Sequence, residues 1–241
     1  MLTGIRNAGR NLLSSAPAYC MPNLLSRGEI VEDTILIVDD SPYIVDGLVA
    51  LLKRKGFNPI ATHGGDEALA LLATVKPDLI LLDIMMEPMD GWETLDHLKA
   101  NPETKDLPVL MFSAKKITPE EAQQHSLNIE DFVSKPVNPT QLLEAIRQIF
   151  TRRSTVKTEA QGAKDAGVDA GLIEEYSALR KSIEVDTNLL CVLKKSCDMS
   201  NVGRDAPPED LTAIQNLEAK IKTDEGRLAE LSGKIPKKDT D

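Results

Sequence analysis

The stretch LILLDIMMEPMDG, residues 79–91, decides the fold of this chain. It opens with a short apolar run and closes with Pro88 and Gly91, which is typical of a strand buried on both faces. The run ends on a carboxylate, Asp83. Open parallel sheets bind ligands at the carboxyl ends of their strands, so an acid at this position indicates a site. Taken alone, such an Asp more often starts a loop, and the interpretation therefore depends on the rest of the chain.

Apolar runs alternate with amphipathic patterns from Thr34 onward. Strands are predicted over residues 35–38, 58–61, 79–83, 107–112 and 129–133. Helices are predicted from Ser41, over 66–75, over 91–100, from Thr118 to about Asn128, and over 138–150. Right-handed βαβ crossovers must cover both faces of a parallel sheet. The pattern therefore predicts an α/β fold, a five-stranded doubly wound parallel sheet of flavodoxin-like order 2-1-3-4-5.

The predicted strand ends bring polar residues to one edge of this sheet. Asp39 and Asp40 follow the first strand, Asp83 ends the third, and Ser113 and Lys135 follow the fourth and fifth. The first and third strands are neighbours in this order, so three carboxylates would share one crevice. Like charges so close repel unless a cation neutralises them, and all-oxygen ligands suit Mg²⁺. A hydroxyl and an ammonium beside a carboxylate nucleophile suit a phosphoryl group.

These motifs together resemble the receiver domain of response regulators, over residues 34–151. The resemblance is carried by ILIVDDS at 35–41, LLDIMM at 81–86, MDG at 89–91, SAK at 113–115 and FVSKP at 132–136. It implies that Asp83 accepts phosphate from the phosphohistidine of a sensor histidine kinase. The stretch from Asp83 to Leu95 is also similar to receivers of methanogenic archaea.

The resemblance also assigns roles to the residues around Asp83. The implied Mg²⁺ ligands are Asp39, Asp40, Asp83 and the backbone carbonyl of Met85. The implied phosphoryl contacts are Ser113 and Lys135. The implied switch residues are Ser113 and Phe132. We expect phosphorylation to draw Ser113 toward the site and to let Phe132 repack.

The regions outside the receiver differ in character. Residues 1–33 are predicted to be a flexible leader, because they carry three Arg residues with no acid before Glu29 and their apolar patches are short. Residues 152–170 have no apolar periodicity and are predicted to be a linker. Residues 171–235 carry two heptad-spaced apolar stripes, which predicts a helical hairpin or coiled coil. Residues 236–241 are a short tail.

Each stripe is interrupted once by an acid. Asp186 and Asp224 stand where the heptad spacing calls for an apolar residue. A polar residue in a helical seam lowers stability and restricts the register of the pair. We therefore predict that the two helices pair with each other, with a homodimer as a further form.

The composition argues against several classes of partner and site. The net charge is −10, and residues 151–241 contain 15 Lys and Arg against 17 Asp and Glu. A DNA-binding output needs a basic surface, so nucleic acid is not the expected partner. No apolar run approaches the roughly 18 residues of a membrane span. The three Cys show no C-x-x-C spacing, which speaks against a zinc site or a disulfide framework.

We therefore expect a cytoplasmic response regulator, not an enzyme, that signals to an effector protein. One alternative is a transcription regulator whose helical tail binds DNA as a dimer. Another is a phosphorelay intermediate that passes the phosphoryl group on. Salt-dependent binding to DNA would favour the transcription regulator.

Overall fold

The computed structural model describes residues 33–114, 121, 124–125, 128–196 and 208–234. The helix predicted from Thr118 to Asn128 lies mostly outside the described residues. The predicted leader, apart from its last residue, and the predicted tail lie outside them altogether.

The sheet has the predicted topology. Its five strands are all parallel, in the order β2-β1-β3-β4-β5. The strands are β1 Thr34–Val38, β2 Asn58–Thr62, β3 Leu79–Asp83, β4 Val109–Ser113 and β5 Asp131–Ser134. The described helices are α1 Pro42–Arg54, α2 Gly65–Leu71, α3 Gly91–Ala100, α4 Pro139–Asp165, α5 Ala170–Ser196 and α6 Pro208–Ser232. The predicted fold class and strand order are confirmed. None of these described helices is long and apolar enough to cross a membrane.

Both faces of the sheet are buried. Successive side chains of a strand point to opposite faces. In β1, Ile35 and Ile37 join an apolar cluster with α1 and α4. Leu36 and Val38 join a second cluster, which contains side chains of α2, α3, α5 and α6. A strand with helices on both sides needs apolar residues at every position, which explains the continuous run in β3.

The loop after β3 is held against the strand by its own residues. Asp90 caps α3, since its side chain accepts a hydrogen bond from the Glu93 N–H at 2.8 Å and the Glu93 carboxylate accepts one from the Asp90 N–H at 3.3 Å. A Cβ at Gly91 would lie 2.1 Å from the Asp83 carbonyl oxygen. Glycine is therefore the residue that lets α3 start directly beside the end of β3.

The structure corrects the linker predicted over residues 152–170, because α4 continues through most of it. Two of its residues are buried: Arg152, and Ala163, which packs against Ile173 of α5. Tertiary packing of this kind stabilises helices whose sequence periodicity is weak. The chain turns after α4 at Gly167, whose φ of 78° is a conformation that glycine adopts readily.

The C-terminal helices α5 and α6 pack against each other. The two acids that interrupt the apolar stripes lie in this contact. Asp186 is fully buried and forms an ion pair with Lys220, and the Ser182 hydroxyl donates to Asp224 at 3.1 Å. Residues later in α5 pair with residues earlier in α6, so the two helices run antiparallel. Residues 197–207, which connect them, lie outside the described part of the chain.

Candidate functional site

Three carboxylates meet at the carboxyl edge of the sheet, as predicted. Asp39 follows β1 and Asp83 ends β3, and these strands are paired neighbours. Asp39 is fully buried, Asp83 is 3% exposed, and Asp40 is exposed. One oxygen from each of the three carboxylates lies within 4.8 Å of the other two. Their repulsion makes this edge a site for a positive charge.

Lys135 supplies one positive charge. Its Nζ lies 2.7 Å from Asp83 Oδ2 and 2.8 Å from Asp39 Oδ2. The Lys135 N–H donates to the Ser113 carbonyl at 2.8 Å, which fixes the lysine at the end of β5. The ammonium also lies 4.6 Å from the centroid of the Phe112 ring, within the range of a cation–π interaction. Lys135 therefore bridges two of the three acids from a fixed backbone position.

The remaining oxygens of the buried acids are held by backbone groups. Asp39 Oδ1 accepts from the Ser41 N–H at 2.8 Å, and Asp83 Oδ1 accepts from the Met85 N–H at 3.3 Å. Burial raises the pKa of Asp83, and Lys135 offsets this only in part. A further cation beside Asp83 would therefore favour its ionised form. The predicted role of the Met85 carbonyl stays a prediction.

The donor set fits Mg²⁺. Three carboxylate oxygens in close proximity are hard ligands, which Mg²⁺ prefers to nitrogen or sulfur. Asp40 is exposed, so the site is open to solvent beside Asp40. This opening leaves room for the water ligands that Mg²⁺ retains.

The two predicted switch residues lie in different surroundings. Ser113 is buried at the end of β4, one position beyond the register partner of Asp83. Phe132 is buried in β5 and belongs to the apolar cluster that also contains Val185 and Leu189 of α5. The structure thus places Ser113 at the sheet edge that holds the acids and Phe132 beneath the C-terminal helices.

A buried charge cluster beside β5 was not predicted from the sequence. Glu130 is 3% exposed and forms ion pairs with Arg152 and, at 3.0 Å, with Lys181 of α5. Burial alone would raise the pKa of Glu130, but the two cations outweigh it and lower this pKa. Arg152 also pairs with Glu184 of α5 at 2.8 Å. These ion pairs connect Glu130, which immediately precedes β5, and Arg152 of α4 to residues of α5.

Asp131, the next residue, is also buried. Its Oδ1 accepts from the Phe132 N–H at 2.7 Å, and its Oδ2 accepts from Asn188 Nδ2 of α5 at 3.1 Å. Burial raises the pKa of this carboxyl. The signal that could have indicated the cluster is the acid pair Glu130-Asp131 at the start of a buried strand.

Two family models match the chain. Residues 35–147 match the model described as "Response regulator receiver domain", and residues 152–239 match the one described as "Metanogen output domain 2". The solved N-terminal domain of a response regulator receiver protein from Methanoculleus marisnigri is 56% identical, covers 48% of this chain and 94% of that chain, and has a TM-score of 0.42.

Curated relatives are similar over the same region. A probable cyclic di-GMP phosphodiesterase of Vibrio cholerae is 33% identical over 67% of this chain, and the transcriptional regulatory protein CpxR of Klebsiella pneumoniae is 36% identical over 55%. The chain spans 35% of the length of the former and 55% of the latter. The predicted resemblance to receivers of methanogens is confirmed. Residues 35–147 therefore form a receiver domain of the response regulators of two-component systems.

Proposed function

We propose that this response regulator accepts a phosphoryl group on Asp83, with Mg²⁺, from the phosphohistidine of a sensor histidine kinase. The observation that carries the proposal is the convergence of three carboxylates within 4.8 Å, two of them bridged by Lys135. A buried carboxylate nucleophile beside a fixed ammonium is an arrangement suited to accepting an anionic group.

The transfer forms one bond and breaks one. An oxygen of the Asp83 carboxylate attacks phosphorus, and the bond between phosphorus and the donor imidazole nitrogen breaks. Lys135 Nζ, now 2.7 Å from Asp83 Oδ2, would then pair with a phosphoryl oxygen. The Ser113 hydroxyl would donate to another. Bound Mg²⁺ would supply charge neutralisation between the acids and the incoming phosphoryl group.

The surface beside Lys135 suits a kinase helix. A groove of about 580 Å³ runs between α1 and the segment after β5. Its lining is mostly apolar and includes Ile44, Leu48, Leu51, Pro136 and Val137. Tyr43 stands at its rim with 90% of its surface exposed. We place the phosphohistidine-bearing helices of the kinase on this groove, because amphipathic helices dock on apolar grooves.

The output is proposed to be a protein–protein contact made through the C-terminal helices. Residues 152–239 match an output domain, and their charge balance is slightly acidic. Phe132 packs in one apolar cluster with α5 and α6, which gives the receiver a route to them. The effector, the homodimer and the cytoplasmic location stay predictions.

Incubation of the full chain with acetyl phosphate tests the proposal. We expect one phosphoryl group per chain by intact mass, formed only with a divalent cation and lost on treatment with hydroxylamine, as an acyl phosphate requires. Asp83→Asn should abolish uptake, and Asp40→Ala should raise the Mg²⁺ concentration needed. Asp46→Asn, on the exposed face of α1, is the matched control and should behave as the natural chain. Uptake that persists in Asp83→Asn, or that needs no cation, overturns the assignment.

A further inference from the structure

We propose that Phe112 is a positioning residue for phosphoryl acceptance, because its ring holds the Lys135 ammonium at the site through a cation–π contact. The inference rests on the proposed function and adds to it a residue that carries no ionisable group and no metal ligand. Lys135 Nζ lies over the Phe112 ring, 4.6 Å from the ring centroid. A cation within about 6 Å of the centroid of an aromatic ring is attracted to its face.

The sheet fixes the positions of both partners. Phe112 lies in β4, opposite Asp83 of β3 and Val133 of β5 in the register of the strands. It is buried, and the carbonyl of the next residue, Ser113, accepts a hydrogen bond from the Lys135 N–H at 2.8 Å. Phe112 therefore lies on the strand between the one that carries the acceptor and the one that the lysine follows.

Packing in the core does not by itself require an aromatic ring at position 112. Phe112 and Leu110 belong to the same strand and to the same apolar cluster, where Leu110 contributes an aliphatic side chain. The face of an aromatic ring carries the negative part of its quadrupole, which an aliphatic side chain lacks. A Leu at position 112 would therefore join this cluster without attracting the ammonium.

The ring adds a third partner to an ammonium that is largely removed from water. The Lys135 side chain is 12% exposed, so solvent compensates little of its charge. Its three N–H donors face carboxylate oxygens of Asp83 at 2.7 Å and Asp39 at 2.8 Å, and the ring lies beside them. Cation–π attraction is stronger where the cation is desolvated, as it is here.

Mg²⁺ would compete with Lys135 for the two acids but not for the ring. Mg²⁺ prefers oxygen ligands. A second cation at the acids would weaken the attraction of Asp39 and Asp83 for the ammonium. The attraction of the Phe112 face would persist, because the ring offers no oxygen. We therefore expect the ring to keep Lys135 beside the site when the acids are neutralised, so that Lys135 can pair with a phosphoryl oxygen.

The experiment replaces Phe112 of the full chain by phenylalanines that carry one, two or three fluorine atoms on the ring. Fluorine withdraws electron density from the ring face and weakens cation–π attraction stepwise, with little change in ring size. Calorimetry measures the dissociation constant of beryllofluoride, a phosphoryl analogue, at saturating Mg²⁺. This constant should rise with each fluorine, to about tenfold for the trifluorinated ring. Phe112→Leu should weaken binding by at least as much.

Binding of Mg²⁺ alone distinguishes positioning of Lys135 from general loosening of the site. Loosening of the acid cluster would weaken the binding of Mg²⁺ and of beryllofluoride together. If the ring acts on the lysine, the dissociation constant of Mg²⁺ should stay within about twofold across the fluorinated series. A metal-free readout is the proton resonance of the Lys135 Cε group, assigned with Lys135→Arg. The ring current should shift it upfield in the natural chain and not in Phe112→Leu.

Phe57 provides the matched control. It immediately precedes β2, at the opposite edge of the sheet from Asp83, and stacks on Phe150 with ring centroids 6.2 Å apart. Trifluorination of Phe57, and Phe57→Leu, should leave the dissociation constant of beryllofluoride within about twofold of the natural value.

The outcomes separate this inference from the proposed function. A graded loss of beryllofluoride affinity with unchanged Mg²⁺ affinity supports the role of Phe112. Equal beryllofluoride affinity across the series, a parallel loss of Mg²⁺ affinity, or an unshifted Lys135 resonance overturns that role and leaves the function of Asp83 standing. Failure of the natural chain to bind beryllofluoride at all overturns the proposed function and this inference with it.

Discussion

Arg152→Met should strongly destabilise the fold, because it leaves a buried carboxylate with fewer partners. The Arg152 side chain is 6% exposed and pairs with Glu130, whose side chain is 4% exposed. Removing one partner of a buried ion pair typically costs about 3–5 kcal/mol of stability. Lys181 and Arg153 stay close to Glu130, at 3.0 and 3.5 Å. We therefore expect the lower end of that range, about 3 kcal/mol.

The assay is urea unfolding of the full chain at pH 7, followed both by fluorescence of Trp92, the one tryptophan of the chain, and by far-ultraviolet circular dichroism. Two probes are needed because α5 and α6 could unfold separately from the sheet. The matched control is Arg147→Met, an exposed position on the same helix α4. Its effect should stay within about 0.5 kcal/mol.

A double-mutant cycle isolates the pair. Glu130→Gln removes the charge that Arg152→Met leaves with fewer partners, so the double variant should be more stable than the sum of the single losses predicts, by about 1 kcal/mol or more. Since its partners lower the pKa of Glu130, its contribution is present above the ordinary pKa of 4.5 and is lost as pH falls through the lower folded value. The deficit of Arg152→Met should shrink over that acidic range. An Arg152→Met variant within 0.5 kcal/mol of the natural chain, or an additive cycle, would refute this reasoning.

Two further changes test the loop after β3 and the partly buried lysine of α3, Lys99. Gly91→Ala should lower the free energy of unfolding by about 1–3 kcal/mol or more and reduce phosphoryl uptake, because the new Cβ would lie 2.1 Å from the Asp83 carbonyl oxygen. The control is Gly47→Ala, whose Cβ would meet nothing within 4 Å and which should be neutral or stabilising. Burial, helped by Lys181, lowers the pKa of Lys99 from 10.5 to about 8, so the unfolded chain binds this proton more tightly. Urea midpoints of the natural chain should therefore rise relative to those of Lys99→Met between pH 8 and pH 10, and parallel curves would contradict the partial burial of this ammonium.

The acid cluster could be predicted from sequence because each of its residues has a local signal. Asp39 and Asp83 end apolar runs of strand length, and parallel pairing alone brings such ends to one edge. Lys135 follows the same rule on β5. No side-chain contact has to be known in advance. The only non-local fact that the prediction needs is the strand order, which makes β1 and β3 neighbours.

The interface between the receiver and the C-terminal helices could not be predicted in this way. Arg152 stands just past the last clear apolar repeat of α4, and its partner Glu130 lies 22 residues earlier. This part of α4 is helical because it is buried against residues that are distant in the sequence. The apolar periodicity of a helix or strand does not reveal such contacts. The same applies to Asp131, whose partner Asn188 lies on a helix that the sequence assigned only to pairing with α6.

β5 lies between the acid cluster and the contact with α5, and because the strand is short we expect these two regions to influence each other. The strand has four residues, Asp131–Ser134, and spans about 13 Å at 3.3 Å per residue. Asp131 at its start contacts α5, and Lys135 immediately after its end contacts Asp83. Phe132 lies between them in the cluster that includes α5. Under the proposed function, a phosphoryl group that drew Lys135 away from the Asp83 carboxylate would pull on the same short segment that Asn188 holds. In a closely packed core such a segment has few intermediate positions, so we expect a shift at one end to be transmitted to the other.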